Sequence, residues 1–187
     1  MITVREKVQL PEETPLSTMS ALSHDWYGKQ GNILPRYAIF KTSSLLQFVA
    51  AVNTAPFLHP AAQACSFVEG LWEYDVAELF LMFQNGHYLE LNLAANGACW
   101  AQWFSSYRER SEELVVDPSL FQSKGSVHNN HWQATLSLPL QILPELPSKA
   151  HVSFIVLKPN LQYFSSCAQD FEPDFHRASC FTALAFQ

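Results

Sequence analysis

The dipeptide Asn85-Gly86 stands between two runs and limits what both can form. Before it, Val76-Ala77-Glu78-Leu79-Phe80-Leu81-Met82-Phe83 is apolar on both parities except at Glu78. That pattern fits a strand covered on both faces, although periodicity alone leaves a short buried helix open. After it, Tyr88-Leu89-Glu90-Leu91-Asn92-Leu93 alternates with period two, which is a strand. Asn-Gly is the strongest two-residue hairpin signal, because a type I′ turn needs positive φ at both central residues. Such a turn sets Phe83 opposite Tyr88, Leu81 opposite Glu90 and Leu79 opposite Asn92. It leaves Glu78 on a face with Phe80, Met82, Leu89 and Leu91. A carboxylate there needs a cation inside the fold, with Arg36, Arg108, Arg110 and His176 as candidates, or water at the open end of the sheet. The buried pair is expected, because an unbroken apolar run follows Glu78. Glu78→Gln is then expected to destabilise.

The remaining chain repeats the theme of short strands and frequent turns. Ile2, Val4, Val8 and Leu10 share one parity in a half-buried strand that ends at Pro11. Residues 11–35 read as loop. Segments 36–40, 45–52, 100–107, 132–138, 151–157, 163–165 and 180–186 read as strands, the second of them also open to a helical reading. Ala95-Asn96-Gly97 reads as a turn. Residues 139–146 hold at most a short helical turn, limited by Pro144. No long amphipathic helix and no internal repeat is present. Together these features predict one all-β domain over residues 1–187, an antiparallel sandwich.

Composition narrows the function classes. Hydrophobic residues make up 48% of the chain and charged residues 15%, which argues against disorder. The formal net charge of −6 gives no reason to expect nucleic acid or an anionic membrane as partner. No apolar stretch is long enough to span a bilayer, and the first residues show no signal-peptide pattern. Cys65, Cys99, Cys167 and Cys180 show no CxxC spacing. They are expected to be unpaired thiols in a cytoplasmic protein. There is no GxSxG, HExxH, P-loop or dinucleotide fingerprint.

Four segments carry a resemblance. LWEYDVAELFL (71–81), YLELNLAANGACWAQWFSSYRER (88–110), YFS (163–165) and PDFHRASCF (173–181) occur in that order. The set resembles the DOMON-like proteins related to family 9 carbohydrate-binding modules, over about the C-terminal two-thirds of the chain. Ala94-Ala95 and Ala178-Ser179-Cys180 depart from the family pattern. The resemblance implies a β-sandwich with a sugar-binding edge or groove. Its site residues would be Trp72, Glu73, Asp75, Glu90, Asn92, Trp100, Arg108 and His176, on one concave patch.

Each of these has a plainer reading. Trp72, Trp100, Trp103 and Trp132 offer stacking faces, but aromatics also dominate cores, and Trp103 and Trp132 are expected there. Glu73, Asp75, Glu90 and Asn92 could bond sugar hydroxyls; singly, each reads as an ordinary solvated residue. Arg108 could clamp a ligand or neutralise an acidic neighbour. The expected function is binding of a saccharide or polyol without turnover. The alternatives are a glycoside-processing enzyme using paired carboxylates from Glu73, Asp75, Glu78 and Glu90, and a metal or haem sensor. No cofactor is expected. Calcium on acidic oxygens, or haem with Met82 and His87 as axial ligands, is the other chemistry left open. Composition leaves the oligomeric state open.

Overall fold

A computed structural model describes residues 1–167 and 172–187. Among them the backbone forms β1 (Ile2–Glu6), β2 (Ser20–Ala21), β3 (Arg36–Lys41), β4 (Leu45–Val52), β5 (Val76–Met82), β6 (Tyr88–Leu93) and β7 (Cys99–Ser106). Then come β8 (Glu109–Arg110), β9 (Gln122–His128), β10 (His131–Pro139), β11 (Lys149–Val156), β12 (Gln162–Ser165) and β13 (Thr182–Phe186). Short 3-10 turns at Leu71–Glu73 and Ala178–Cys180 flank strands that matter below. Among the described residues no helix is long and apolar enough to cross a membrane.

The strands form one curled sheet, ordered β8-β7-β6-β5-β11-β13-β1-β3-β4-β10-β9, with β12 also on β11 and β2 on β3. β13 joins two leaves, pairing with β11 on one side and β1 on the other. The leaves share one core, built from Val4, Ile39, Phe48 and Leu136 on one side and Leu79, Leu91, Val152 and Phe154 on the other. Trp103 and Trp132 lie in it, as expected. The all-β expectation holds, but the sheet is mixed and not antiparallel throughout. β1 runs parallel to both β13 and β3. Parallel neighbours need a crossover of a dozen or more residues, and residues 7–35 supply one between β1 and β3.

A second apolar cluster covers the outer face of the β5-β6-β7-β11 leaf. Trp26, Phe80, Tyr88, Trp100, Phe104, Phe175 and Phe181 belong to it. Residues of β5 therefore pack alternately into the inter-leaf core and into this outer cluster, which is why the strand is apolar on both parities.

The β5–β6 hairpin forms, one residue out of the expected register. Met82 faces Tyr88, Phe80 faces Glu90, and Glu78 faces Asn92. The loop has three residues, because Phe83 N–H donates to His87 O (3.0 Å) and Gly86 N–H donates to Phe83 O (3.1 Å). Within the loop only Gly86 takes positive φ (+86°). Asn85 instead accepts the His87 N–H through Oδ1 at 3.0 Å, the Asx geometry that competes with a type I′ turn. Paired positive φ occurs instead at Asn129 (47°) and Asn130 (63°), between β9 and β10. The sequence reading did not anticipate β9. It packs against the β6–β7 turn, where Gly97 and Gly125 bring two backbones into direct contact.

The expectation of four free thiols is corrected. Cys167 and Cys180 form a disulfide with their Cα atoms 5.1 Å apart, while Cys65 and Cys99 are free. The 3-10 turn Ala178–Cys180 brings Cys180 back beside the end of β12. Disulfides persist in oxidising surroundings, so the cytoplasmic expectation loses the thiol argument it leaned on. Thiol titration in denaturant without reductant should find two thiols per chain; finding four would remove the bridge.

Candidate functional site

The outer face of the β5-β6-β7-β11 leaf is also the floor of a cavity of about 420 Å³. Alternation along the strands decides what the floor presents. Glu78 and Phe80 come from β5, Glu90 from β6, Trp100 and Phe104 from β7, and Ile155 from β11. One wall is Trp72, carried by the 3-10 turn Leu71–Glu73. Its ring meets that of Trp100 with centroids 4.9 Å apart at 60°. Arg108 and Arg110 follow from the β7–β8 turn and β8, and Phe175 and His176 from the segment after residue 171.

Asp174 fastens that segment down. Its carboxylate accepts the Tyr107 hydroxyl (2.6 Å), Arg108 Nη2 (3.1 Å) and Arg177 Nε (3.1 Å). Burial opposes the charge, but the bonds from Tyr107 and Arg108 outweigh it and hold Asp174 below the usual carboxylate range. From beneath, buried His151 donates through Nδ1 to Phe175 O (2.8 Å) and accepts the Ser165 hydroxyl at Nε2 (2.6 Å). Burial pushes its pKa down to about 4, so His151 is a neutral structural pin.

A relay sets the protonation of His176. The Arg108 backbone N–H donates to the Tyr88 hydroxyl oxygen at 3.0 Å, and that oxygen lies 2.8 Å from His176 Nδ1. Burial raises the Tyr88 pKa to about 12, so the phenol keeps its proton. The arrangement that satisfies both groups has Tyr88 donating to Nδ1, which leaves the imidazole proton on Nε2. Burial, and then the charge of Arg108, lower His176 to about 4. His176 Nε2 lies 3.8 Å from Glu90 Oε2. With a neutral ring this is no ion pair, and it is too long for a hydrogen bond.

Glu78 and Glu90 are the unusual pair. Glu78 is 3% exposed and accepts the Ser153 hydroxyl at 2.7 Å. Among the described residues it forms no ion pair, so the expected pairing with Arg36, Arg108, Arg110 or His176 is corrected. Burial first, and then the charge of Glu90, push its pKa up to about 8. Glu90 accepts Asn92 Nδ2 at 2.7 Å; burial raises it to about 7 against the pull of that bond and of Arg110 and Arg108. A neutral Glu78 carboxyl resolves the conflict that a buried carboxylate posed.

This architecture has known counterparts. No family model matches the sequence, and no curated protein matches it. Among solved structures, a Bacteroides uniformis protein proposed to be carbohydrate-binding superposes with a TM-score of 0.72 at 15% identity, covering 100% of this chain and 98% of that one. Family 9 carbohydrate-binding modules from Caldicellulosiruptor kristjanssonii, in complexes with glucose and with cellotriose, each give 0.63 at 10% identity. They cover 100% of this chain and 95% and 93% of those modules. The fold is that of the family 9 modules.

Within that fold, Trp72, Glu90, Trp100, Arg108 and His176 line the cavity, and Asn92 stands behind Glu90. Glu73 is exposed and does not line it. Asp75 is 1% exposed and lies elsewhere, accepting the Phe57 and Leu157 N–H groups at 2.9 and 2.7 Å. It ties a loop to the end of β11. The sequence reading gave no site role to Phe80, Phe104, Arg110, Tyr163 and Phe175, and named Glu78 only as a folding question and as a carboxylate of the enzyme alternative. Among the described residues no group of three or more acidic, His or Cys side chains is placed to hold a metal ion. Met82 and His87 do not line the cavity.

Proposed function

We propose that this chain binds a saccharide in the cavity, without turnover. One observation carries the reading. The Trp72–Trp100 wall stands in the same cavity as a donor, His176 Nε2–H, and an acceptor, Glu90 Oε2, held 3.8 Å apart with neither satisfied by the other. A pyranose offers an apolar C–H face and a hydroxyl edge, and one hydroxyl can accept from His176 while donating to Glu90. The family 9 modules of the same fold, crystallised with glucose and cellotriose, support it. Calorimetric titration with glucose and cellotriose should show saturable binding. Trp72→Ala, at a half-buried turn position, should weaken it by about tenfold or more. Absence of binding, or affinity unchanged in Trp72→Ala, overturns the assignment.

A second reading has its own support. Glu78 and Glu90 are two carboxyls in one cavity, and glycoside hydrolysis employs two, one protonated and one ionised. Release of reducing ends from the oligosaccharide in the same samples would move the assignment to an enzyme.

A further inference from the structure

Two acids in the cavity lack a counterion, and the two cations beside them are already engaged. Arg108 is bound to Asp174, and Arg110 to Glu69 while also lying 5.4 Å from the Trp100 ring centroid. Glu78 and Glu90 are bonded by neutral donors, Ser153 and Asn92. Because Glu78 faces Asn92 and Phe80 faces Glu90, the two acids are diagonal neighbours on one face. Diagonal pairs in antiparallel sheets lie about 7–8 Å apart, within reach of long side chains. Both side chains line the same cavity.

Two further features favour a cation there. Asn92 Oδ1, buried beside both acids, has no donor. It adds a carbonyl dipole of the same sign to the same face. The same cavity is lined by the rings of Trp72, Trp100, Phe80 and Phe104, and aromatic rings attract cations.

We infer that the saccharide this cavity favours carries a primary ammonium group, seated between the carboxyls of Glu78 and Glu90. It is an amino sugar in preference to its neutral counterpart. This rests on the saccharide reading above and narrows it. Against a neutral hydroxyl both carboxyls keep their protons. An ammonium lets at least one ionise, and the displaced proton passes to the buffer. The other groups around the pair are His151 and Ser153 on β11, His176 above, and the two engaged arginines at the rim. The histidines are neutral and add no competing charge.

The test is calorimetry on the full chain with glucosamine and with glucose. It is run at about pH 6, below the range near 8 where α-amino-type groups titrate, in two buffers of different ionisation enthalpy. Glucosamine should bind about ten- to a hundredfold tighter than glucose, the gain of a charge-assisted bond over a neutral one. Its binding should release protons, and glucose binding should not. Glu78→Gln and Glu90→Gln should each shrink the preference and the proton release. If either variant fails to fold, the other still carries the test. Glucose binding as tightly as glucosamine overturns the inference and leaves the saccharide reading intact. So does a preference undiminished in the variants. Binding of neither sugar overturns both.

Discussion

Replacing Glu78 by Gln should stabilise the protein at alkaline pH by about 3–5 kcal/mol and change little below about pH 4.5. The direction follows from the raised pKa. In the unfolded chain Glu78 titrates near its model value of 4.5; in the folded one it holds its proton to about 8. A group raised in this way contributes its full stability below the unfolded value. It loses that contribution as pH climbs through the folded one. Wild type should therefore weaken steadily from about pH 4.5 to about 8. Glu90, raised in the same direction, adds to the slope. Gln is uncharged at every pH and can still accept the Ser153 hydroxyl, so the variant lacks the Glu78 part of the decline. Urea midpoints for both proteins across this range would show it. A difference that does not change with pH would mean Glu78 titrates alike in the folded and unfolded chain, and a loss at neutral pH that fades in acid would return the buried ion pair.

Gly125→Ala should act in the opposite sense and cost about 3 kcal/mol or more. A Cβ at this position would fall inside the van der Waals envelope of the Ala95 carbonyl oxygen and the Gly97 nitrogen. At Gly97 it would meet the Lys124 carbonyl carbon at 2.8 Å. All of these are backbone atoms, so no flexible side chain can swing away. Either β9 leaves β10 or the β6–β7 turn shifts, and that turn leads into the strand carrying Trp100. Ser126→Ala, on the same exposed strand, should stay within about 0.5 kcal/mol. Equal urea midpoints for the two variants would deny the close approach.

The sequence made the strands legible wherever a side chain had to choose a face. β5, β6 and β10 show their alternation or double burial directly. β9 was hidden because its face is solvent: QSKGSVH is exposed along nearly its whole length, so no apolar period marks it. The register of the central hairpin was hidden for a different reason. Asn-Gly serves a two-residue type I′ turn or a three-residue loop with a left-handed glycine, and only the Asn85 side-chain bond decides. That single residue of slip moved Glu78 from its expected neighbours onto the face of Glu90. Five of the eight expected site residues, from Trp72 to His176, converge on the cavity. Glu73 and Asp75 do not, because a short turn points one outward and gives the other to backbone donors. The aromatic residues of the cavity look identical in sequence to those of the core. Nothing in their spacing shows that a second apolar cluster lies outside the sheet.

The position of β13 governs the order in which this molecule can be completed. Its residues 182–186 lie between the two leaves, pairing Leu184 with Ile2 and Thr182 with Ala150. Gln187 N–H then donates to Val4 O at 3.0 Å. The hairpins β3–β4, β5–β6 and β9–β10 can each close locally. The first strand can pair with β3 early, but its other edge stays open until almost the whole described chain has been made. Contacts of such sequence separation slow folding, because the loop must close before any pairing rewards it. During synthesis the two leaves therefore wait, each with an open hydrogen-bonding edge, for one short strand to join them.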